Sequence, residues 1–257
     1  MRKFLVCVVG IVVASFIFAQ ENYEIQVYGS KTMEKRNTIF ELHSNFTFSG
    51  EKNIVDHVMP THHSLRETLE ITHGITENFE TGFYLFTNFT PGYGYKFVGW
   101  HIRPRVMVPE KWNWPVGVSL STEFGYQKRQ YSEDTWNIEV RLIVDKQAGN
   151  FYFSFNPTFG IGIKPDSNDH TPEFEPNFKA AYTINNIALG FEYYGDLGKV
   201  NDIPGISGQE HFLFLVADFY FDPRWELNIG PGFGLTNNGD DFIFKVLVGR
   251  RINWNKK

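Results

Sequence analysis

From Phe40 the chain alternates. Phe40, Leu42, Ser44, Phe46 and Phe48 are apolar or small, while Glu41, His43, Asn45 and Thr47 between them are polar. A strand points successive side chains to opposite faces, so this is the signature of a sheet with two unlike sides. The same lattice returns in six further runs: Val98–Val108, Val116–Tyr126, Trp136–Val144, Phe151–Ile163, Phe174–Ile184 and Trp225–Leu235. Across the seven runs the apolar lattice holds 41 positions, none of them charged. With 21% charged residues in the chain, about nine would fall there if position were indifferent to face.

Such a lattice fits either a soluble sandwich with a dry core or a membrane barrel turned inside out. Three features favour the barrel. The runs reach roughly ten residues, the length of a tilted spanning strand, where soluble strands cluster near 5–6. The polar lattice mixes Gly and Ser with charges, as a lumen does. Trp100, Tyr126, Trp136, Trp225 and Trp254 sit near run ends, where a bilayer places its aromatic girdle. Less regular runs at Thr61–His73, Asn78–Thr90, Ile187–Asp196, His211–Phe221 and Asp241–Trp254 bring the count to about twelve. The predicted fold class is therefore all-β, a transmembrane up-and-down antiparallel β-barrel. Long and short connections alternate, and short turns belong in the periplasm, which predicts both termini there. Two positions strain the pattern. Glu67 shares the outward lattice with Leu65 and Leu69 unless a bulge near Arg66 resets the register. His211–Phe221 is apolar on both faces, so its inward side needs a plug or ligand to pack against.

The N-terminus changes the picture. Arg2 and Lys3 precede the apolar run Phe4–Phe18, which ends at Ala19-Gln20, the form of a secretory signal peptide over residues 1–19. The run is too short for a spanning helix. The single Cys7 lies within it, leaving residues 20–257 without thiol chemistry. Losing Arg2 and Lys3 takes the formal charge from −5 to −7, so nucleic acid is not an expected partner. Residues 20–36 precede the first strand as a periplasmic stub, a partial strand or a plug in the lumen, and residues 37–257 form the barrel. The expected partners are outer-membrane lipids and lipopolysaccharide, a small-molecule solute, and the barrel-assembly machinery during biogenesis. For the last, the run Gly249–Trp254 looks like the terminal assembly signal of such barrels.

Candidate chemistry is concentrated on the inward lattice. Arg66, Glu70, His101, Arg103, Arg105, Glu123, Glu139, Arg141, Lys179 and Glu192 form a mixed belt. One reading is a constriction selecting solutes by charge and size. The other is a ladder of ion pairs filling the lumen, and the cost of unpaired charge in a narrow interior weighs toward it. His62 and Ser64 form an H-x-S pair resembling that of the outer-membrane phospholipases, but here both fall on the polar lattice, without the flanking Asn. His57, His62 and His63 with Asp56, and the acidic stretches Asp166–Asp169 and Asn237–Asp241, read first as solvated loops, since none has the spacing of a metal site. No cofactor fingerprint is visible, and no cofactor is expected.

Three stretches, Ile25–Ser30, Glu70–Ile75 and Trp225–Gly232, resemble Gram-negative outer-membrane barrels of the transporter type, including the phenol-degradation MetA-pathway family. The resemblance implies passive passage of small compounds, hydrophobic or aromatic ones among them, and carries no residue roles. The function expected is a non-enzymatic outer-membrane channel or transporter. The alternatives are a closed structural barrel and a lipid hydrolase using His62 and Ser64.

Overall fold

The structure, a computed structural model, describes residues 23–132, 134–163 and 169–254. The predicted signal peptide, Cys7 and Asp166–Asn168 lie outside the described residues. Twelve strands follow in chain order: β1 (Asn37–Ser49), β2 (Leu65–Thr76), β3 (Phe79–Thr90), β4 (Gly94–Met107), β5 (Gly117–Gln127), β6 (Trp136–Ala148), β7 (Phe151–Ile163), β8 (Glu173–Ile184), β9 (Ile187–Asp196), β10 (Glu210–Phe219), β11 (Trp225–Gly234) and β12 (Phe242–Asn253). Each pairs antiparallel with its sequence neighbour, and β1 pairs with β12 from Asn37↔Asn253 to Ser49↔Phe242, closing the barrel. Closure leaves no edge strand with unpaired amides.

The two faces are those of a membrane barrel. Leu142 and Phe153 point outward, each 41% exposed, whereas Glu123 on the inner face is 5% exposed. On the outside, Trp100, Phe124, Tyr126 and Trp136 form one aromatic cluster with ring centroids 5.1–6.3 Å apart. They lie toward the end of the barrel that carries the connections 50–64, 128–135 and 197–209. The turns 77–78, 149–150 and 185–186 and both ends of the strand series lie at the other end, called here the terminal end.

Two local expectations need correction, and at Glu67 the outward lattice holds without a bulge. Val98 does not share the outward lattice: the β3–β4 register slips between Phe86↔Gly99 and Thr87↔Phe97. This leaves Val98 as the extra residue of a bulge, fully buried against Tyr23, Tyr84 and Phe86, since a bulge reverses the parity of a strand. No bulge rescues Glu67. The β1–β2 register runs unbroken from Thr38↔His73 to Phe46↔Leu65, so the carboxylate is on the outer face, near the end of the long connections. There the Tyr95 hydroxyl donates to it and Ser44 Oγ stands 3.5 Å away. Finally, His62 and Ser64 precede β2 rather than lying on it. The amides of Thr61 and His62 both donate to Glu51 O, and Ser64 N donates to Thr61 O. With His63 at φ 58°, this is a turn.

The outward placement of Leu142, near mid-strand, sets a stability expectation. Leu142→Arg should destabilise the barrel by about 2–4 kcal/mol, read from urea unfolding in lipid vesicles. Ser121→Asn, at an inward site beside Arg141, should cost much less. Equal costs at the two sites would contradict the assignment of faces.

Candidate functional site: the lumen and the segment within it

Residues 23–34 run through the barrel interior in extended form. The segment leaves β1 at the terminal end, where Arg36 N donates to Gly74 O (2.8 Å). It ends in the long-connection half, where Tyr23 O accepts from Asn45 Nδ2 (3.1 Å) and Thr68 Oγ1 (2.7 Å). Its sequence alternates, and the barrel uses both faces. Ile25 and Val27 pack with Phe212, Phe214 and Val216 of β10, Ile243 of β12 and Tyr194 of β9. This is what the inward apolar residues of β10 bury against. Gly232 and Gly234 of β11 lie opposite Phe214 and Phe212, and a Cβ at Gly232 would stand 2.2 Å from the Phe214 ring.

An extended strand without a sheet partner must satisfy its amides elsewhere. Side chains of the wall do this. Asn156 Oδ1 accepts from Tyr28 N (2.8 Å), and Tyr28 O accepts from Ser154 Oγ (2.6 Å) and Asn156 Nδ2 (3.1 Å). Arg105 donates to Gly29 O and Lys31 O, both at 3.0 Å. Asp145 accepts from Ser30 N (2.9 Å) and Ser30 Oγ (2.6 Å), while Lys245 donates to Ile25 O (3.0 Å). Met33 N donates to Glu80. The Tyr28 ring lies among three guanidinium groups, those of Arg103 (4.5 Å), Arg141 (4.9 Å) and Arg105 (5.5 Å from its centroid), a cation–π arrangement. At the terminal mouth Lys31 pairs with Glu110 of the connecting turn (2.8 Å). That hydrogen bond holds the exposed Glu110 carboxyl below its ordinary range and the Lys31 ammonium above it.

All ten belt residues named from the sequence point inward, and they fall into separate groups. Arg66 pairs with Asp240 (3.0 Å) near the long connections. Glu70 accepts from Arg103 (2.8 Å), Thr72 (2.6 Å) and His43 (3.3 Å), and Arg105 reaches Glu80 (2.7 Å). Arg141 pairs with Glu139 (2.6 Å) and lies 3.8 Å from Glu123, which is 3.4 Å from His101. Lys179 bridges Glu192 and Asp218, both at 2.9 Å, and Glu192 also takes Lys245. Sequence reasoning missed His43, Glu80, Asp218, Asp240 and Lys245. Parity could have found Lys245, which lies between outward Phe244 and Val246. Asp240 belongs to a connection and carries no such signal. Tyr28 could not be found, because its three arginines come from β4 and β6.

The segment and the belt divide the lumen. A chamber on the long-connection side encloses about 1460 Å³ and one on the terminal side about 3100 Å³, counting their open mouths. They meet at Gln26, which lines both. Neither His62 Nδ1 nor Ser64 Oγ makes a hydrogen bond, and His62 stacks on His63 with centroids 4.0 Å apart.

The fold is that of an outer-membrane porin barrel. One similar solved structure is the KdgM porin in complex with disordered oligogalacturonate, with TM-score 0.57, 9% identity, and coverage of 82% of this chain and 98% of that one. Another is the NanC porin, with TM-score 0.52, 10% identity, and coverage of 82% and 97%. No family model matches the chain, and no curated protein does.

Glu192 is the carboxylate on which Lys179 and Lys245 both lean. Glu192→Gln leaves Lys245 buried without an anionic partner and is expected to cost about 3–5 kcal/mol. Glu192→Gln/Lys245→Met should recover part of that loss. A double-mutant cycle on unfolding in detergent checks both, and strict additivity would refute the coupling.

Proposed function

We propose that the chain is a non-enzymatic outer-membrane channel for passive passage of small solutes, with residues 23–34 as a plug that sets its open fraction. The observation that carries this reading is the lumen itself: two open chambers with charged, polar walls, separated by a segment bonded almost wholly through side chains. The neutral bonds among them contribute about 0.5–1.5 kcal/mol net each and those to Arg105, Asp145, Lys245 and Glu80 about 1.5–3, and a polar lumen can supply water to replace them. The segment lacks the backbone ladders that join each strand of the barrel to two neighbours. Tyr23, Phe86, Tyr131 and Tyr194 in the wall of the long-connection chamber support a solute with an apolar or aromatic part, the class that the resemblance to MetA-pathway barrels implies.

The terminal end faces the periplasm in this proposal, because the longest connections lie at the other end. The outer aromatic cluster and the apolar band then contact outer-membrane lipids and lipopolysaccharide. The Gly249–Trp254 pattern on β12 is what the barrel-assembly machinery would engage. A second reading, a closed structural barrel, is favoured by the number of hydrogen bonds that hold the segment.

Conductance in planar bilayers separates the two. The full chain is expected to give small or infrequent steps, and a variant lacking residues 23–34 severalfold larger ones. Tyr28→Ala should fall between, since it frees three arginines from one ring. Folded protein of all three forms without a single conductance step would remove the channel reading and leave the structural one.

A further inference from the structure

The two chambers differ in charge. Among the described residues, the terminal-side wall carries seven Arg or Lys and seven Asp or Glu, and so is balanced. The wall on the long-connection side carries eight carboxylates, among them Glu24, Glu139, Glu173, Glu175 and Asp196, against Arg141 and His101. Arg141 is already engaged, by Glu139 at 2.6 Å and by the Tyr28 ring. Several of the opposing acceptors are not. Glu24 and Glu175 make no hydrogen bond or ion pair among the described residues. Independently of the carboxylates, Asn177 is 94% buried in the same wall with its Oδ1 unpartnered, and Gln26 Oε1 is likewise unbonded. Buried acceptors without donors are costly, and a ligand rich in N–H groups would satisfy them.

We infer that the chamber on the long-connection side binds organic cations: ammonium or guanidinium groups carried on an apolar stem. A bare metal ion fits less well, because no three His, Cys, Asp or Glu side chains converge to hold one among the described residues. The wall also offers Val55, Val58 and Met59 beside Phe86 and Tyr131. Apolar and aromatic surface next to carboxylates suits an alkyl or aryl amine, by burial of the stem and by cation–π contact. The negative field of this mouth raises the local concentration of cations and lowers that of anions. An oligogalacturonate, the polyanion held by the KdgM porin, would be repelled here despite the shared fold.

The inference rests on the channel reading for passage, though not for binding, so two measurements are paired. Titration calorimetry of the full chain in detergent uses spermidine, trigalacturonate and, at matched ionic strength, MgCl₂. Spermidine is expected to bind, trigalacturonate not to bind, and MgCl₂ to compete only weakly. Glu24→Gln/Glu175→Gln should weaken spermidine binding roughly tenfold, because it removes two carboxyl groups that a bound ammonium would draw into the ionised form and pair with. That pair breaks no ion pair, and the heat-dependent shift in gel mobility reports that the variant barrel is folded. Glu226→Gln, in the terminal-side wall and away from the segment's anchors, should leave spermidine binding unchanged. In planar bilayers under a KCl gradient, the reversal potential should show K⁺ preference, reduced in the double variant.

Unchanged spermidine binding in the double variant, tighter binding of trigalacturonate than of spermidine, or a Cl⁻-selective current would each overturn the inference. Loss of binding in the variant with no current from any form would instead retire the channel and leave the cation site standing.

Discussion

Hydrocarbon offers no hydrogen bonds, so every backbone amide that crosses it must find its partner within the protein. The pairing of β1 with β12 is where this chain meets that demand, since without it two rows of amides would face lipid. Closure also fixes the inside and the outside of every strand. Once Asn37 faces Asn253, the parity of each strand decides which side chains meet acyl chains and which meet the lumen. Departures from that parity are few and local, and each has an identifiable compensation. The Val98 bulge turns an aliphatic side chain inward, where Tyr23 and Phe86 receive it. Glu67 keeps its outward place because hydroxyl groups near the end of the long connections take over its hydration.

The interior poses the opposite problem. Where the peptide segment fills the barrel between the two chambers there is little room for water, and the charges there need partners. The belt accordingly consists of small groups in which carboxylates are shared: Glu70 among Arg103, Thr72 and His43, and Glu192 between two lysines. These networks hold the wall, and the same side chains hold the segment, Arg105 through two carbonyls and Lys245 through one. The two readings of the belt, an ion-pair ladder and a selective constriction, therefore describe different regions of one lumen. Pairing dominates at mid-barrel and on the terminal side, and an excess of carboxylates remains on the side of the long connections.

Much of the architecture was legible in the sequence because a period of two is a strong signal when one solvent is oil. The seven regular runs contain no charge on their outward lattice, and all ten belt residues read from parity do face inward. What could not be read depends on contacts across the lumen. Tyr28 looks like any aromatic in a leftover stretch, and only the folded barrel places Arg103, Arg105 and Arg141 around it. The position of the bulge was illegible for a related reason. Val98 fits the outward lattice by type, and its inward turn follows from packing against residues far along the chain. His62 and Ser64 failed as strand residues because the backbone of Glu51, not local alternation, sets the conformation there.

The segment inside the barrel is joined to β1 by only Lys35 and Arg36. Should it leave the lumen, it would remain tethered at the mouth at an effective concentration on the order of millimolar, as short linkers give. Its return would then be a unimolecular event, indifferent to protein concentration and to soluble competitors at lower concentration. A long-lived open state would need something that holds the released segment, and its lifetime would measure how tightly.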